Sequence, residues 1–185
     1  VGLRAERQNL KKLRKGQREA YEAVVSQHYG SIYRFMAYLT GDAASAEELT
    51  QETFASAWAN IDRFTGRATL GTWLHQIAYR KFIDSRRRLH RDAALMASFK
   101  DEKRDTSEAS NPLHRLAADE HSRLLYEAMR QLKWSEYVLI VLHYIQGLSF
   151  RQVAKVLDQP VGTIKWRTSV ALKKLRASLS GRIRP

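Results

Sequence analysis

Gly147-Leu148-Ser149-Phe150-Arg151-Gln152-Val153-Ala154-Lys155-Val156-Leu157-Asp158-Gln159-Pro160-Val161-Gly162-Thr163-Ile164-Lys165-Trp166-Arg167 has the clearest local grammar in the 185-residue chain. Gly147 stops a helix to which Val138, Leu142 and Ile145 belong, because glycine enters the left-handed conformation without a Cβ penalty. Ser149 and Gln152 have the spacing of a capping box, in which each side chain accepts a hydrogen bond from the other residue's backbone. The short helix so opened ends by Leu157. Asp158-Gln159-Pro160 makes a turn, and Pro160 suits the first position of the next helix, where a missing N–H costs nothing. A short and a long helix joined by a tight turn form a helix-turn-helix.

The long helix sorts by angle, at about 100° per residue. Val161, Ile164, Thr168, Ala171 and Leu175 fall on one side and are expected to pack on the preceding helices. Gly162, Trp166, Ser169, Val170 and Lys173 face the other way, between Lys165 and Arg167. Lys165, Arg167, Lys173 and Arg176 could hold phosphates while the side chains between them approach base edges in a major groove. A solvated surface helix in a three-helix bundle would show much the same pattern.

Upstream of this motif the periodicity is helical throughout. Tyr21, Val24, Val25, Ile32, Phe35, Met36 and Leu39 recur at helical spacing, and Thr40-Gly41-Asp42 reads as a stop and turn. Ala46, Leu49, Thr53 and Ala57 line a second helix, with Phe54 and Trp58 widening its apolar side. After a connection at 62–68 that holds Gly66 and Arg67, a third helix is expected from about Thr69 to beyond Arg86. Its apolar face is Leu70, Trp73, Leu74, Ile77 and Ala78, with Trp73 as core rather than stacking platform. No segment alternates with period two. Residues 100–108 offer nothing apolar to bury, so a flexible linker is expected at 93–112. Apolar periodicity resumes near Leu113 and runs through Leu116, Leu124 and Leu125 to Leu132. The expected fold is all-α, with small helical domains at 1–92 and 113–185, the second holding the helix-turn-helix.

Charge narrows the partners. Lys and Arg number 32 against 19 Asp and Glu, a net +13 that favours a polyanion through phosphate contact and counterion release. An anionic lipid surface, or no polyanion at all, would also tolerate that charge. No apolar run reaches the roughly 20 residues a membrane span needs, and the polar, basic start reads as no signal peptide. The absence of cysteine excludes disulfides and thiolate sites within the chain and fits a cytoplasmic setting. His28, His75, His90, His114, His121 and His143 are scattered, with no convincing metal spacing. There is no phosphate-cradling glycine loop or nucleophile elbow, so no cofactor, metal or catalytic residue is expected.

Three stretches, taken in order, narrow the reading further. Ala46-Glu47-Glu48-Leu49-Thr50-Gln51-Glu52-Thr53-Phe54 is followed by Trp58 and Phe64-Thr65-Gly66. Leu70-Gly71-Thr72-Trp73-Leu74-His75-Gln76-Ile77-Ala78 leads to Ile83-Asp84-Ser85-Arg86-Arg87. Gly147-Leu148-Ser149 leads through Val153-Ala154 to Pro160-Val161-Gly162-Thr163-Ile164-Lys165. Together, over about residues 16–180, the chain resembles the extracytoplasmic-function (ECF) sigma factors of the sigma-70 family.

That resemblance implies a non-enzymatic subunit that binds core RNA polymerase, recognises promoter DNA and starts transcription, commonly under an anti-sigma factor. It places polymerase contact on Glu48, Leu49, Gln51, Glu52 and Phe54. It assigns the downstream promoter element to the loop at Phe64 and Arg67 and to the cations Arg80, Lys81, Arg86, Arg87 and Arg88. The upstream element falls to Arg151, Gln152, Thr163, Lys165, Trp166, Arg167, Ser169 and Lys173. Cations beside an aromatic-containing loop suit single-stranded DNA, the cations following the backbone while the loop receives an unstacked base.

The chain departs from the family at several points. Tyr79-Arg80 stands where Arg-Asn is common. Lys133 and Tyr137 replace a usual Pro and Arg, and Gln152 replaces a common Glu. Trp166 stands where a small residue is usual, and Val170 and Leu172 where Arg is frequent. An outward Trp166 points to altered promoter specificity, through apolar contact with a thymine methyl or a sugar, or to a partner that covers this face. The rival reading is a stand-alone helix-turn-helix regulator whose first module dimerises on two-fold duplex sites; an RNA- or phosphate-binding accessory protein has only the charge in its favour.

Overall fold

The computed structural model describes residues 10–96 and 120–180, and among these the regular structure is helical, with no strand. The chain divides into two compact units, Val1–Ser107 and Glu108–Pro185.

The first unit opens with a helical turn at 10–14. It closes at Gly16, whose φ is 71°, with Gly16 N–H donating to the Leu13 carbonyl at 3.0 Å and Gln17 N–H to the Lys12 carbonyl at 3.1 Å. These paired bonds are a Schellman closure. Helix α1 (Arg18–Thr40) buries Ala20, Val24, Ile32, Phe35, Met36 and Leu39 and stops at Gly41 in the left-handed region. Asp42 then caps α2 (Ala43–Ala59), its Oδ2 accepting from Ser45 N–H at 2.8 Å. That bond holds the Asp42 carboxyl below its ordinary range. The buried hydroxyls of Thr50 and Thr53 donate back to the Ala46 and Leu49 carbonyls, so neither is left unsatisfied against α1. A 3₁₀ turn (Ile61–Arg63) and an irregular loop at 64–69 lead to α3 (Leu70–Met96), whose Leu74, Ala78 and Phe82 complete the core.

The second unit contains α4 (Glu120–Arg130), α5 (Trp134–Ile140), α6 (Phe150–Leu157) and α7 (Val161–Leu179). α5 continues into a π turn, Val141–Ile145, closed by Gln146 N–H on the Val141 carbonyl at 2.9 Å. α7 packs against α4, α5 and α6 through Ile164, Thr168, Ala171 and Leu175.

Two local expectations are corrected. The linker expected from 93 does not begin there: α3, expected to run beyond Arg86, continues to Met96, since Ala93, Ala94, Leu95 and Met96 are all strong helix formers. The remainder of the expected linker, with Leu113 and Leu116, lies outside the described residues. Pro160 is the N-cap of α7 rather than its first helical residue. Asp158 takes φ 52°, the chain turns there, and Pro160 keeps an extended ψ of 140° while its carbonyl accepts from Ile164 N–H.

One ion pair ties α5 to α7. Glu136, its side chain 9% exposed, accepts from Lys174 Nζ at 2.6 and 2.9 Å and from the Lys133 N–H at 3.2 Å. Burial pushes this carboxyl up, but the Lys174 ammonium and the Lys133 N–H more than reverse it, so it titrates below the usual glutamate range. A depressed folded pKa stabilises the fold above the unfolded pKa, and that contribution is lost as pH falls through the folded value. Glu136→Gln is therefore expected to cost the second unit about 1–3 kcal/mol at pH 7. The gap to wild type starts to narrow near the ordinary glutamate pKa of about 4.3 and closes only in acid below the depressed folded value. Urea titrations at neutral pH and in that acid range check this; a gap that persists in acid would exclude the ionised pair as its source.

Candidate nucleic-acid and protein interfaces

Three faces take the expected site residues. On α2, the spacing that puts Ala46, Leu49, Thr53 and Ala57 in one line also buries that line. Leu49 is only 5% exposed, and Phe54 lies inside against Tyr29, ring centres 5.9 Å apart. Leu49 and Phe54 thus belong to the core, which corrects their assignment to a contact surface. Glu48 and Gln51 face solvent. Glu52 is half-buried, its Oε2 3.2 Å from Lys81 Nζ, an ion pair without the alignment of a good hydrogen bond.

Beside these, Glu47 accepts hydrogen bonds from the Tyr29 hydroxyl and from Gln51 Nε2. The bond to Glu47 pushes the Tyr29 hydroxyl up to about 12, and its counterpart holds the Glu47 carboxyl below its usual range. Sequence reasoning missed this pair, because it joins α1 to α2 and only packing brings the two together.

The second face comprises the loop at 64–69 and the outer side of α3. Phe64 is 4% exposed, its ring centre 5.0 Å from that of Trp73. Its ring is therefore an anchor and not an open platform, because the loop closes its only aromatic onto the α3 helix. Thr65, Gly66, Arg67 and Thr69 remain outward. The Phe64 carbonyl accepts from Arg14 Nη2 at 2.8 Å, a contact fifty residues apart in sequence. On α3, Arg80, Arg87, Arg88 and Arg91 are exposed, whereas Arg86 is half-buried and Lys81 is engaged by Glu52. Arg87 approaches Asp84 at 3.7 Å, both side chains largely in water, so that pair contributes little.

The third face lies on α6 and α7. Ser149 N–H donates to Gln152 Oε1 at 2.8 Å and Gln152 N–H to Ser149 Oγ at 3.3 Å, so the capping box forms and occupies part of the Gln152 amide. Arg167 is half-buried and donates to Gln159 Oε1 at 3.1 Å, bracing the turn. Arg151, Lys165, Ser169 and Lys173 are exposed, Thr163 and Val170 half-buried. Trp166 is 66% exposed in the middle of this cationic surface. Tyr144 and Trp134, which the sequence did not single out, are also exposed, Trp134 stacking on Tyr137 with ring centres 5.6 Å apart.

Among the described residues no cluster of three or more His, Asp or Glu side chains could hold a metal ion, and no helix is long and apolar enough to cross a membrane. What the structure displays is two cationic surfaces and one with open carboxylate and amide groups.

The Sigma-70 region 2 model matches residues 24–92, and the Sigma-70 region 4 model matches 122–175. That order defines a sigma-type transcription initiation factor. The chain is 31% identical to the ECF sigma factor SigC of Mycobacterium tuberculosis, over 88% of this chain and 85% of that one. It is 28% identical to the ECF sigma factor SigW of Bacillus subtilis, over 94% and 96%. The fold is that of the sigma factor RpoE of Bartonella quintana, solved with the anti-sigma factor NepR (TM-score 0.68, 23% identity, 88% of this chain and 98% of that one). It is also that of CnrH, solved with the cytosolic domain of CnrY (TM-score 0.71, 21% identity, 97% and 99%). The chain belongs to the ECF RNA polymerase sigma factors of the sigma-70 family, which are transcription regulators and not enzymes.

Proposed function

We propose that the three faces divide the work of initiation. Glu48 and Gln51 on α2, with Glu52 at the edge, dock on the core polymerase. The outward part of the 64–69 loop takes an unstacked base of the downstream element, while Arg80, Arg87 and Arg88 follow the strand. The outer face of α7, with Arg151 from α6, enters the major groove of the upstream element; Lys165 and Lys173 hold phosphate, and Trp166 and Ser169 reach base edges. Residues 1–92 and 113–185 are the two working modules. The cytoplasm, where polymerase and chromosome meet, is the site of action.

The observation that carries this division is the segregation of chemistry. Open carboxylate and amide groups lie on α2, and rows of exposed cations lie on α3 and on α6 and α7. Like charge would repel a strand from α2, and opposite charge would draw it to the other two. The sigma factor RpoE was solved with an anti-sigma factor and CnrH with the cytosolic domain of CnrY, which supports a protein partner as the natural cover for these faces.

The deciding experiment mixes the purified chain with a bacterial core polymerase and follows co-elution at moderate salt. A stable complex that opens a promoter chosen from a random library supports the proposal. Failure to bind polymerase, with tight binding to palindromic duplex DNA, would favour the stand-alone regulator instead.

A further inference from the structure

The amino-terminal turn has no part in the division of work above, yet it is a built element. Its Leu13 side chain is 3% exposed. The Schellman bonds at Gly16 fix the direction in which the chain leaves it, and a Cβ at Gly16 would meet nothing, so the glycine serves the +71° φ and not a close contact. This frame presents Arg14, whose Nη2 reaches the Phe64 carbonyl at 2.8 Å.

That carbonyl sits at a decisive place. Phe64 is the last anchored residue of the loop, its ring closed on Trp73, and Thr65, Gly66 and Arg67 follow it into solvent. The ring fixes the side chain of Phe64 but leaves the peptide between 64 and 65 free to rotate. A charged donor on the carbonyl removes that freedom. Gly66 at φ 73°, with open space around it, would otherwise let the exposed part take many shapes.

We propose that Arg14 is a positioning residue for promoter opening: braced by the closed turn at 10–16, its guanidinium holds the 64–65 peptide and sets the loop in the shape that receives a base. This rests on the reading of the loop as a single-strand receptor. Arg14 acts on DNA only through the loop backbone, so its role separates from that of a phosphate-binding arginine.

The test uses holoenzyme assembled from the full chain and a bacterial core polymerase. The probe is a fluorescent single-stranded oligonucleotide bearing the downstream element of a promoter that wild-type holoenzyme selects from a random library. Arg14→Met, which keeps the aliphatic reach without the donors, is expected to weaken probe binding about tenfold, with the salt dependence unchanged. Arg14→Lys, which restores a charged donor, should recover most of the loss, and co-elution with polymerase should not change. A log–log salt slope shallower by about 0.7 in Arg14→Met would mean a lost phosphate contact and overturn the proposal. Unchanged probe affinity would overturn it too, as would equal losses in the Met and Lys variants. Arg67→Ala tests the loop itself: if it leaves probe binding intact, the receptor reading fails, and the Arg14 proposal with it.

Discussion

Replacing Glu48 by arginine is expected to lower the affinity of the chain for core RNA polymerase about a hundredfold, or about 2.7 kcal/mol. The neighbouring carboxylates are already engaged, Glu47 by Tyr29 and Gln51, and Glu52 by Lys81. Glu48 offers its charge to solvent in the first half of α2. Reversing it places a cation against a surface shaped for an anion, and like charges across an interface cost several kcal/mol. The fold has little reason to change, since Arg and Glu have similar helix propensity and Glu48 packs against no core. Glu48→Gln should fall between the two, because it removes attraction without adding repulsion. A titration of labelled chain with core polymerase reads the effect, and an unchanged Kd for the arginine variant would remove α2 from the docking surface. Glu52→Arg is a poorer probe, as it would also place two cations together beside Lys81.

Truncating Trp166 to alanine is expected to cost about 1–3 kcal/mol at the upstream element and to flatten sequence preference there. An indole this exposed contributes little to the fold of the isolated chain, so most of the loss would arise at the DNA. Its surroundings make it an apolar reader within a cationic frame, suited to a thymine methyl. Replacing thymine by uracil in the selected duplex should therefore weaken wild-type holoenzyme and leave Trp166→Ala unaffected. If the alanine variant kept both the affinity and the preference of wild type, Trp166 would have no part in reading the upstream element.

The helices were legible because their signals are local. Gly41, Gly147 and the Ser149–Gln152 box are statements about neighbouring backbone groups, and each appears where spacing placed it. The inner face of α7 followed from angle alone, since Ile164, Thr168, Ala171 and Leu175 are buried as a set. Site residues were less legible wherever one position could serve two purposes. Leu49 and Phe54 flank the acidic face in sequence, but helical geometry turns them into the core. The resemblance assigns Phe64 to the loop facing the downstream element, but its ring closes onto Trp73. Arg14 on Phe64, Tyr29 on Glu47 and Lys174 on Glu136 join distant segments, and no spacing rule announces such pairs.

The π turn at Val141–Ile145 has a mechanical meaning for how this chain tolerates change. A turn closed by an i to i+5 bond holds one residue more than an α turn, about 100° of rotation stored in the backbone. Deleting a single residue there would let the helix run regular, and α5 would swing by that angle against everything after Gly147. The Glu136–Lys174 clasp and the inward set of α5 could not then both be kept. The segment works as a phase shifter between α5 and the helix-turn-helix, and length changes there should be far less tolerated than substitutions on its solvent side.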